Sequence, residues 1–367
     1  MASSRASPKL DHVVRILRNQ IADGVYAPGQ QLPVRKELSA AFDVTPVTLQ
    51  KAFDRLIEEG FVATRGRGGT FVAPDPPCDC RFALIFSRQG KAYESLQFRA
   101  VRDAMPGVEA ALGVRIEVFR EVYDPLDGAI YGADGERLLA DMEARRVAGL
   151  IFVQTPIAMA GTRLTAAGPI PRVGWMRRAR PELPGMGAVW TDDETFVARA
   201  LPALAARGAP RVGLVPLPAP RAPWVPVFLE RAAAAGLTAE ARWIQGVSFT
   251  HTQWAANCVE LLMQGGPPHR PDGLIIADDH LAPHSAAGLL AAHIRVPEDV
   301  QVVAHCNYPV RERPLLPFLR LGYDAAEVLR AGVDWVRRTR ADGAPGPDVR
   351  VLPRFSWEQA GDEAPPA

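Results

Sequence analysis

Short continuous apolar runs alternate with amphipathic helical patterns over residues 81–360. Before residue 73, two short helical patterns lead into a glycine-tipped hairpin. Together these observations predict an α/β chain in two parts: a small helix-rich unit (1–73) and a two-lobed, doubly wound parallel-sheet domain (81–360). Ala73-Pro74-Asp75-Pro76-Pro77 breaks both periods, which sets a linker at 74–80.

In the first part, Leu10, Val13, Val14, Leu17 and Ile21 recur at helical spacing and give the Lys9–Gly24 segment one apolar face. Val25–Pro33, with Pro28 and Gly29, reads as a connection. Val34–Phe42 and Thr45–Glu59 are the next helices, joined by Asp43-Val44. Thr45 suits an N-cap and Pro46 the first helical turn. Leu49, Ala52, Phe53 and Leu56 fall at i, i+3, i+4 and i+7, so they face the core and Val47, Thr48, Gln50, Lys51, Asp54 and Arg55 face outward. Phe61–Val72 reads as two strands around Arg65-Gly66-Arg67-Gly68-Gly69. Paired helices followed by such a hairpin make a winged helix-turn-helix unit. In that frame Thr48 and Gln50 are of the type that bonds base edges, while Arg35, Lys36, Lys51, Arg65 and Arg67 neutralise phosphates. Residues 1–77 hold 10 Lys and Arg against 8 Asp and Glu, a net +2, so useful affinity for double-stranded DNA calls for a dimer.

In the second part the strand candidates are Phe82–Phe86, Gly149–Val153, Pro171–Trp175, Val212–Val215, Gly273–Ala277 and Val300–Ala304. Helical patterns span Leu96–Leu112, Gly135–Arg146, Glu194–Arg207, Pro226–Gly236, Thr252–Gln264, Ala282–His293 and Ala325–Arg340. The break between lobes falls near 188–191, and 361–367 reads as a disordered tail. Open parallel sheets bind ligands beyond the carboxyl ends of their strands. The residues just after each strand are therefore the candidate effector contacts: Ser87, Arg88, Gln154, Trp175, Asp192, Trp224, Asp279, His305 and Asn307. A tryptophan stacked on a sugar face, with Asp, Asn and Arg bonding its hydroxyls, fits this set.

The remaining composition narrows the classes. The chain has 367 residues with 42 Lys and Arg against 41 Asp and Glu, and 48% of it is hydrophobic. No run approaches the ~20 apolar residues of a membrane span, and Met1–Lys9 has no apolar signal core, so no membrane association and a cytoplasmic location are expected. Four cysteines make no disulfide framework, and Cys78-Asp79-Cys80 has neither a second pair nor nearby histidines to complete a zinc site. His280 and His284 lack a zinc-protease motif, and no phosphate loop or nucleophile elbow occurs. Pyridoxal phosphate needs a Schiff-base lysine in the second part, and no lysine follows Lys91. No enzyme, metal or cofactor is expected.

Two resemblances sharpen these readings. Leu32-Pro33-Val34-Arg35-Lys36-Glu37-Leu38, Val44 to Ala52, Leu56, Gly60 and Gly66-Arg67-Gly68-Gly69-Thr70-Phe71-Val72 resemble the GntR-type winged-helix regulators. The resemblance implies that Thr45, Pro46, Val47 and the wing glycine Gly68 join the DNA contacts. It departs at Pro46 and Gln50, where the family usually has arginine, and at Lys36, where arginine is common. Val189 to Glu194, Arg207 to Leu214, Asp272 to Ala282 and Ile294 to Val303 resemble the LacI/GalR-type effector domain, a fold similar to periplasmic sugar-binding proteins. That resemblance implies a homodimeric repressor, whose lobes close on a small-molecule effector and reset the spacing of the DNA readers. Asp279 matches the family's cleft aspartate. Its effector-contacting arginine would fall near Trp224, and its usual Gly-Phe-Asp reads Ala304-His305-Cys306. The alternative expectation is a DNA-binding regulator whose large domain is a ligand-independent dimerisation scaffold.

Overall fold

The computed structural model describes residues 8–22, 24–74, 76, 80–88, 96–124, 127–130, 132–143, 146–176, 180–191, 193–217, 224–248, 251–309 and 314–361. The side chains of Arg67, Asp193 and Trp224 lie outside this description, as do Cys78, Asp79, Asp192 and residues 362–367. The chain forms two compact units: Met1–Lys91 with Met105–Val189 and Arg330–Val349, and Ala92–Ala104 with Trp190–Leu329 and Arg350–Ala367. The architecture is mixed α/β, an N-terminal helix-turn-helix followed by parallel sheets.

The first unit begins with α1 (Pro8–Ala22), α2 (Arg35–Ala41), α3 (Pro46–Glu58) and a hairpin of β1 (Val62–Thr64) and β2 (Thr70–Val72). Its core joins Val13, Leu17 and Ile21 of α1 to Leu38 of α2, Leu49, Phe53 and Leu56 of α3, and Phe61 and Val72 of the hairpin. Each such side chain contributes roughly 1.5–3 kcal/mol on burial, which is why the apolar spacing dictates the packing. Asp43, between α2 and α3, has φ 49° and makes the left-handed turn that lets the second helix follow so soon. The Val25–Pro33 connection contributes more than a link: Gln31 bridges to Phe71, and its Nε2 donates to the Gly68 carbonyl at 2.9 Å. The hairpin is thereby braced on its outer edge.

The rest of the unit is a six-stranded sheet ordered β12-β7-β6-β5-β3-β4, comprising β3 (Arg81–Ile85), β4 (Arg115–Phe119), β5 (Gly149–Phe152), β6 (Arg172–Trp175), β7 (Met186–Trp190) and β12 (Val349–Arg350). Neighbours from β4 through β7 pair in parallel, and β3 and β5 are buried along their whole length. The Arg81 side chain, at the start of β3, donates to Glu117 of β4 and, at 2.7 Å, to Asp141 of α5 (Gly132–Glu143). Burial alone would push the Glu117 carboxyl up, but the Arg81 bonds and the charges of Arg81, Arg137 and Arg115 hold it below the ordinary carboxylate range. Trp335 and Val336, on α10 (Ala325–Asp342), press on this sheet where Gly187 and Gly149 leave room: a Cβ on Gly187 would stand 2.2 Å from the Trp335 ring.

The second unit holds a five-stranded sheet ordered β13-β11-β10-β9-β8, made of β8 (Val212–Val215), β9 (Gly273–Ile276), β10 (Gln301–Tyr308), β11 (Leu319–Asp324) and β13 (Arg354–Phe355). β8 through β11 are parallel and β13 is antiparallel. One apolar cluster fills the α6 (Asp193–Ala205) and α7 (Trp224–Ala234) side, and another fills the α8 (Trp254–Met263) and α9 (Ala282–Ala291) side. Parallel strands covered on both faces explain the continuous apolar runs in the sequence. The expected Val300–Ala304 strand needs correction. β10 runs on to Tyr308, paired with β11 as far as Asp324, so His305 and Asn307 stand on the strand rather than after it. α4 (Leu96–Leu112) spans its expected length.

Candidate functional site

Two places carry chemistry: one face of the N-terminal module and a cavity in the second unit. On the first, Thr45 caps α3 from an extended backbone, its Oγ1 accepting the Thr48 backbone N–H at 3.2 Å. The two hydroxyls of Thr45 and Thr48 lie 2.9 Å apart, so part of the Thr48 bonding capacity is used within the cap. Pro46 occupies the first helical turn, and Val47 is 66% exposed. Gln50 donates from Nε2 to Asp54 Oδ1 at 2.6 Å. Reading a base edge therefore requires the amide to leave Asp54.

Apart from Arg15, exposed and bonded to the His12 ring at 3.3 Å, the described cations of this module sort into two groups. Lys9, Arg18 and Arg55 are held by Asp43, Glu59 and Asp11 with Glu59 respectively, so Arg55, expected to face outward, is half-buried and ties α3 to α1. Arg35, Lys36, Lys51 and Arg65 are exposed and have no acidic partner among the described residues. Arg35 and Arg65 rest their guanidinium groups over the Phe53 and Phe71 rings at 5.4 and 4.6 Å. Stacking orders them without neutralising them. The hairpin tip is a short turn over Gly66–Gly68, with Gly66 and Gly69 at φ 55° and 98° and Gly68 exposed. Arg67 belongs to this tip, its side chain outside the description. The module thus presents a helix N-terminus, polar outward side chains and four unpaired cations, with Gln31 as a brace that sequence pattern did not single out.

In the second unit, a cavity of about 450 Å³ opens by the carboxyl ends of β9 and β10, against the first turns of α4. It is lined by three expected residues, Asp279, His305 and Asn307, and by Arg99, Arg102 and Arg320, which were not expected. Asn307 donates from Nδ2 to Asp279 Oδ2 at 2.7 Å. His280 Nδ1 lies 2.8 Å from Asp278 and 3.2 Å from Asp279, and its Nε2 accepts the Leu96 backbone N–H at 3.2 Å. That acceptor role assigns the neutral ring's proton to Nδ1, where it is donated to Asp278. Burial and the neighbouring Asp278 charge push Asp279 above the ordinary carboxylate value, against the pull of His305, His280 and Asn307. Burial would lower His280, but its bond to Asp278 and the charges of Asp279 and Asp278 carry it above the ordinary imidazole value. Asp278, Asp279 and His280 are close enough to share an ion. The ring nitrogens are already engaged by Asp278 and the Leu96 amide, and Asp279 Oδ2 by Asn307.

Ser87, Arg88, Gln154 and Trp175, expected as contacts of the same site, lie in the first unit. Ser87 is buried and donates to Gln154 Oε1 at 2.6 Å, so its hydroxyl is engaged within the fold. Arg88 is exposed and stands 3.8 Å from Asp124. Trp175 is half-buried at the end of β6, and its carbonyl accepts from Thr155 at 3.4 Å. Asp192 and the Trp224 side chain lie outside the described residues.

Paired short helices with a braced hairpin, joined to doubly wound parallel sheets with polar side chains at their carboxyl ends, define a DNA-reading module carried on a ligand-binding fold. Residues 9–72 match the family model of bacterial regulatory proteins, gntR family, and residues 201–356 match that of the periplasmic binding protein-like domain. The chain therefore carries a GntR helix-turn-helix domain at its N-terminus, followed by a periplasmic-binding-protein-like domain. HTH-type transcriptional regulator Rv1152 of Mycobacterium tuberculosis is 38% identical over 71 residues, 18% of this chain and 59% of that protein. The probable fructoselysine utilization operon transcriptional repressor of Escherichia coli is 39% identical over 56 residues, 15% of this chain and 23% of its own length. The chain thus spans less than two thirds of these curated relatives. A putative ribose operon repressor from Burkholderia thailandensis shares the fold at TM-score 0.55 and 18% identity, covering 76% of this chain and 99% of that one. The transcriptional regulator CelR in complex with cellobiose does so at TM-score 0.57 and 17% identity, covering 95% and 98%.

Proposed function

We propose that the chain is a transcription regulator that binds an operator as a homodimer and represses by occupying it, with a small-molecule effector held in the cavity beside Asp279. The observation that carries this reading is the outward face of the N-terminal module. Arg35, Lys36, Lys51 and Arg65 stay unneutralised there while the neighbouring Lys9, Arg18 and Arg55 are all paired. A solvated surface has no reason to leave its acids on one set of cations and none on the other. Phosphates complete the second set. Thr48 and Gln50 then face the bases from the first turns of α3, whose free amides and dipole favour close approach to the backbone.

The effector half of the reading rests on Asp279 and Asn307, polar groups converging on a cavity of small-molecule size at the carboxyl ends of parallel strands. An effector acts by binding the DNA-competent and incompetent arrangements unequally. The test is selection of bound duplexes from a random DNA pool by the full-length protein. An enriched inverted repeat is the expected result; an enriched single half-site would sink the dimer, and no enrichment would sink operator recognition by the free protein. The scaffold alternative is separated by ligand-dependent release of that repeat, which it does not allow.

A further inference from the structure

We infer that the ligand of the second-unit cavity is an organic anion, carrying a carboxylate or phosphate on an apolar body, rather than a neutral polyol. The inference rests on the effector reading above and names the ligand class that the cavity selects. Its polar wall is rich in hydrogen-bond donors. Arg99 and Arg102 come from α4 and Arg320 from β11. All three already make contacts within the protein, yet a guanidinium carries donors in a fixed fork and no acceptor, a match for the paired oxygens of a carboxylate or phosphate.

Acceptors are few. Asp103 and Asp279 are the carboxyl groups in the wall, and Asp279 already receives the Asn307 amide on one oxygen and faces His280 with the other. The nearby Cys306 adds no negative charge, since burial pushes its thiol up to about 12. A polyol presents as many donors as acceptors, and most of its hydroxyl hydrogens would meet no acceptor here; an anionic group only accepts. His305 contributes little to this wall, since its ring packs against Phe196 and Tyr323 at 5.4 and 5.8 Å. The remaining wall is apolar, including Ala100, Ala286, Leu315 and Phe318, which suits a hydrocarbon body. The carboxylates that would accept from sugar hydroxyls are thus outnumbered by arginines in this wall.

The experiment uses the full-length protein and two matched series: glucose, glucuronate and glucose 6-phosphate; and benzyl alcohol, benzoate and phenyl phosphate. Thermal unfolding and retention of the selected duplex are read for each. The acidic members are expected to raise the unfolding temperature and to bind about tenfold or more tightly than the neutral parent. The carboxylate and phosphate arms show which oxyanion fits. Arg320→Gln and Arg102→Gln are each expected to reduce that preference about tenfold. Arg102 is exposed, so its variant folds even if the Arg320 variant does not. If neutral parents stabilise as well as their acids, the anion assignment is overturned while the cavity remains an effector site. If no member shifts unfolding or DNA retention, the assignment fails together with the cavity as effector site, and operator binding stands or falls separately on the duplex selection.

Discussion

Gln50, half-buried, and Arg65, exposed, carry different expectations under the proposed DNA contact. Gln50 reaches Asp54 in the free protein, and an amide can offer both a donor and an acceptor to an adenine edge once released. Gln50→Ala is therefore expected to relax discrimination at one operator position by ~1–3 kcal/mol. Competition binding against single-base operator variants measures this. Arg65, stacked on Phe71 with no acidic partner among the described residues, is proposed to meet the DNA backbone, so Arg65→Ala should weaken all duplexes alike. A change in sequence preference without a general loss would show the hairpin reading bases instead. His280 makes a different residue-scale prediction. It and Asp279 hold protons more readily when folded than their ordinary values allow. Wherever the native state binds more protons than the unfolded chain, stability falls as pH rises. For His280 the contribution is fully present below the ordinary imidazole value, about 6.5, and is lost as pH rises through its raised folded value. Urea unfolding at a series of pH values should show this decline in the wild type and a shallower one in His280→Gln; equal slopes would remove His280 from the account.

At the scale of elements, Gly187 shows what packing asks of a strand. Its Cβ would enter the Trp335 ring, and Trp335 is fixed by a bond from Nε1 to the Pro347 carbonyl at 3.1 Å. Gly187→Ala is expected to cost about 1–3 kcal/mol through overpacking. Combining it with Trp335→Phe should recover part of that loss, a non-additivity that a double-mutant cycle measures. Strictly additive losses would mean the two do not share the contact. Elements of this sort explain what was legible beforehand. α3 and α4 could be read because a one-sided apolar stripe is a property of neighbouring residues alone. β3, β5, β8 and β9 were legible because burial on both faces leaves continuous apolar runs. β4, β7 and β11 were not: Arg115-Ile116-Glu117-Val118-Phe119 alternates as an edge strand does, Met186–Trp190 carries Gly187 and Ala188, which have little strand preference, and Leu319–Asp324 carries Arg320 and Gly322. Missing β11 hid Arg320 from the cavity, and the end of β10 was set too early because His305 and Asn307 interrupt its apolar run. Asp279 was found because it follows an unmistakable strand. Arg99 and Arg102 were missed because they sit on a helix, away from the strand ends inspected. Ser87 was chosen by the same strand-end rule, yet its hydroxyl is engaged by Gln154.

At the scale of the whole molecule, the charge count sets a quantitative test of assembly. The chain is almost neutral, and residues 1–77 carry only a net +2, so general electrostatic attraction to DNA is weak. What remains local, among the described residues, are four unpaired cations on one module, Arg35, Lys36, Lys51 and Arg65. If each neutralises one phosphate, the slope of log affinity against log salt should be about −0.9 per contact, or roughly −3.6 for one module. A homodimer on an inverted repeat doubles the contacts and should give roughly −7, falling by about 1.8 when Arg65→Ala removes one contact from each protomer. Titrations across salt on the full repeat and on an isolated half-site supply both slopes under the same conditions. Equal slopes on the two duplexes would mean one module binds at a time, and the dimeric regulator would be wrong even if the DNA sequence were specific. A repeat slope near twice that of the half-site would tie the four cations to the backbone of each half. It would also leave Thr48, Gln50 and the helix N-terminus as the groups free to read the bases between them.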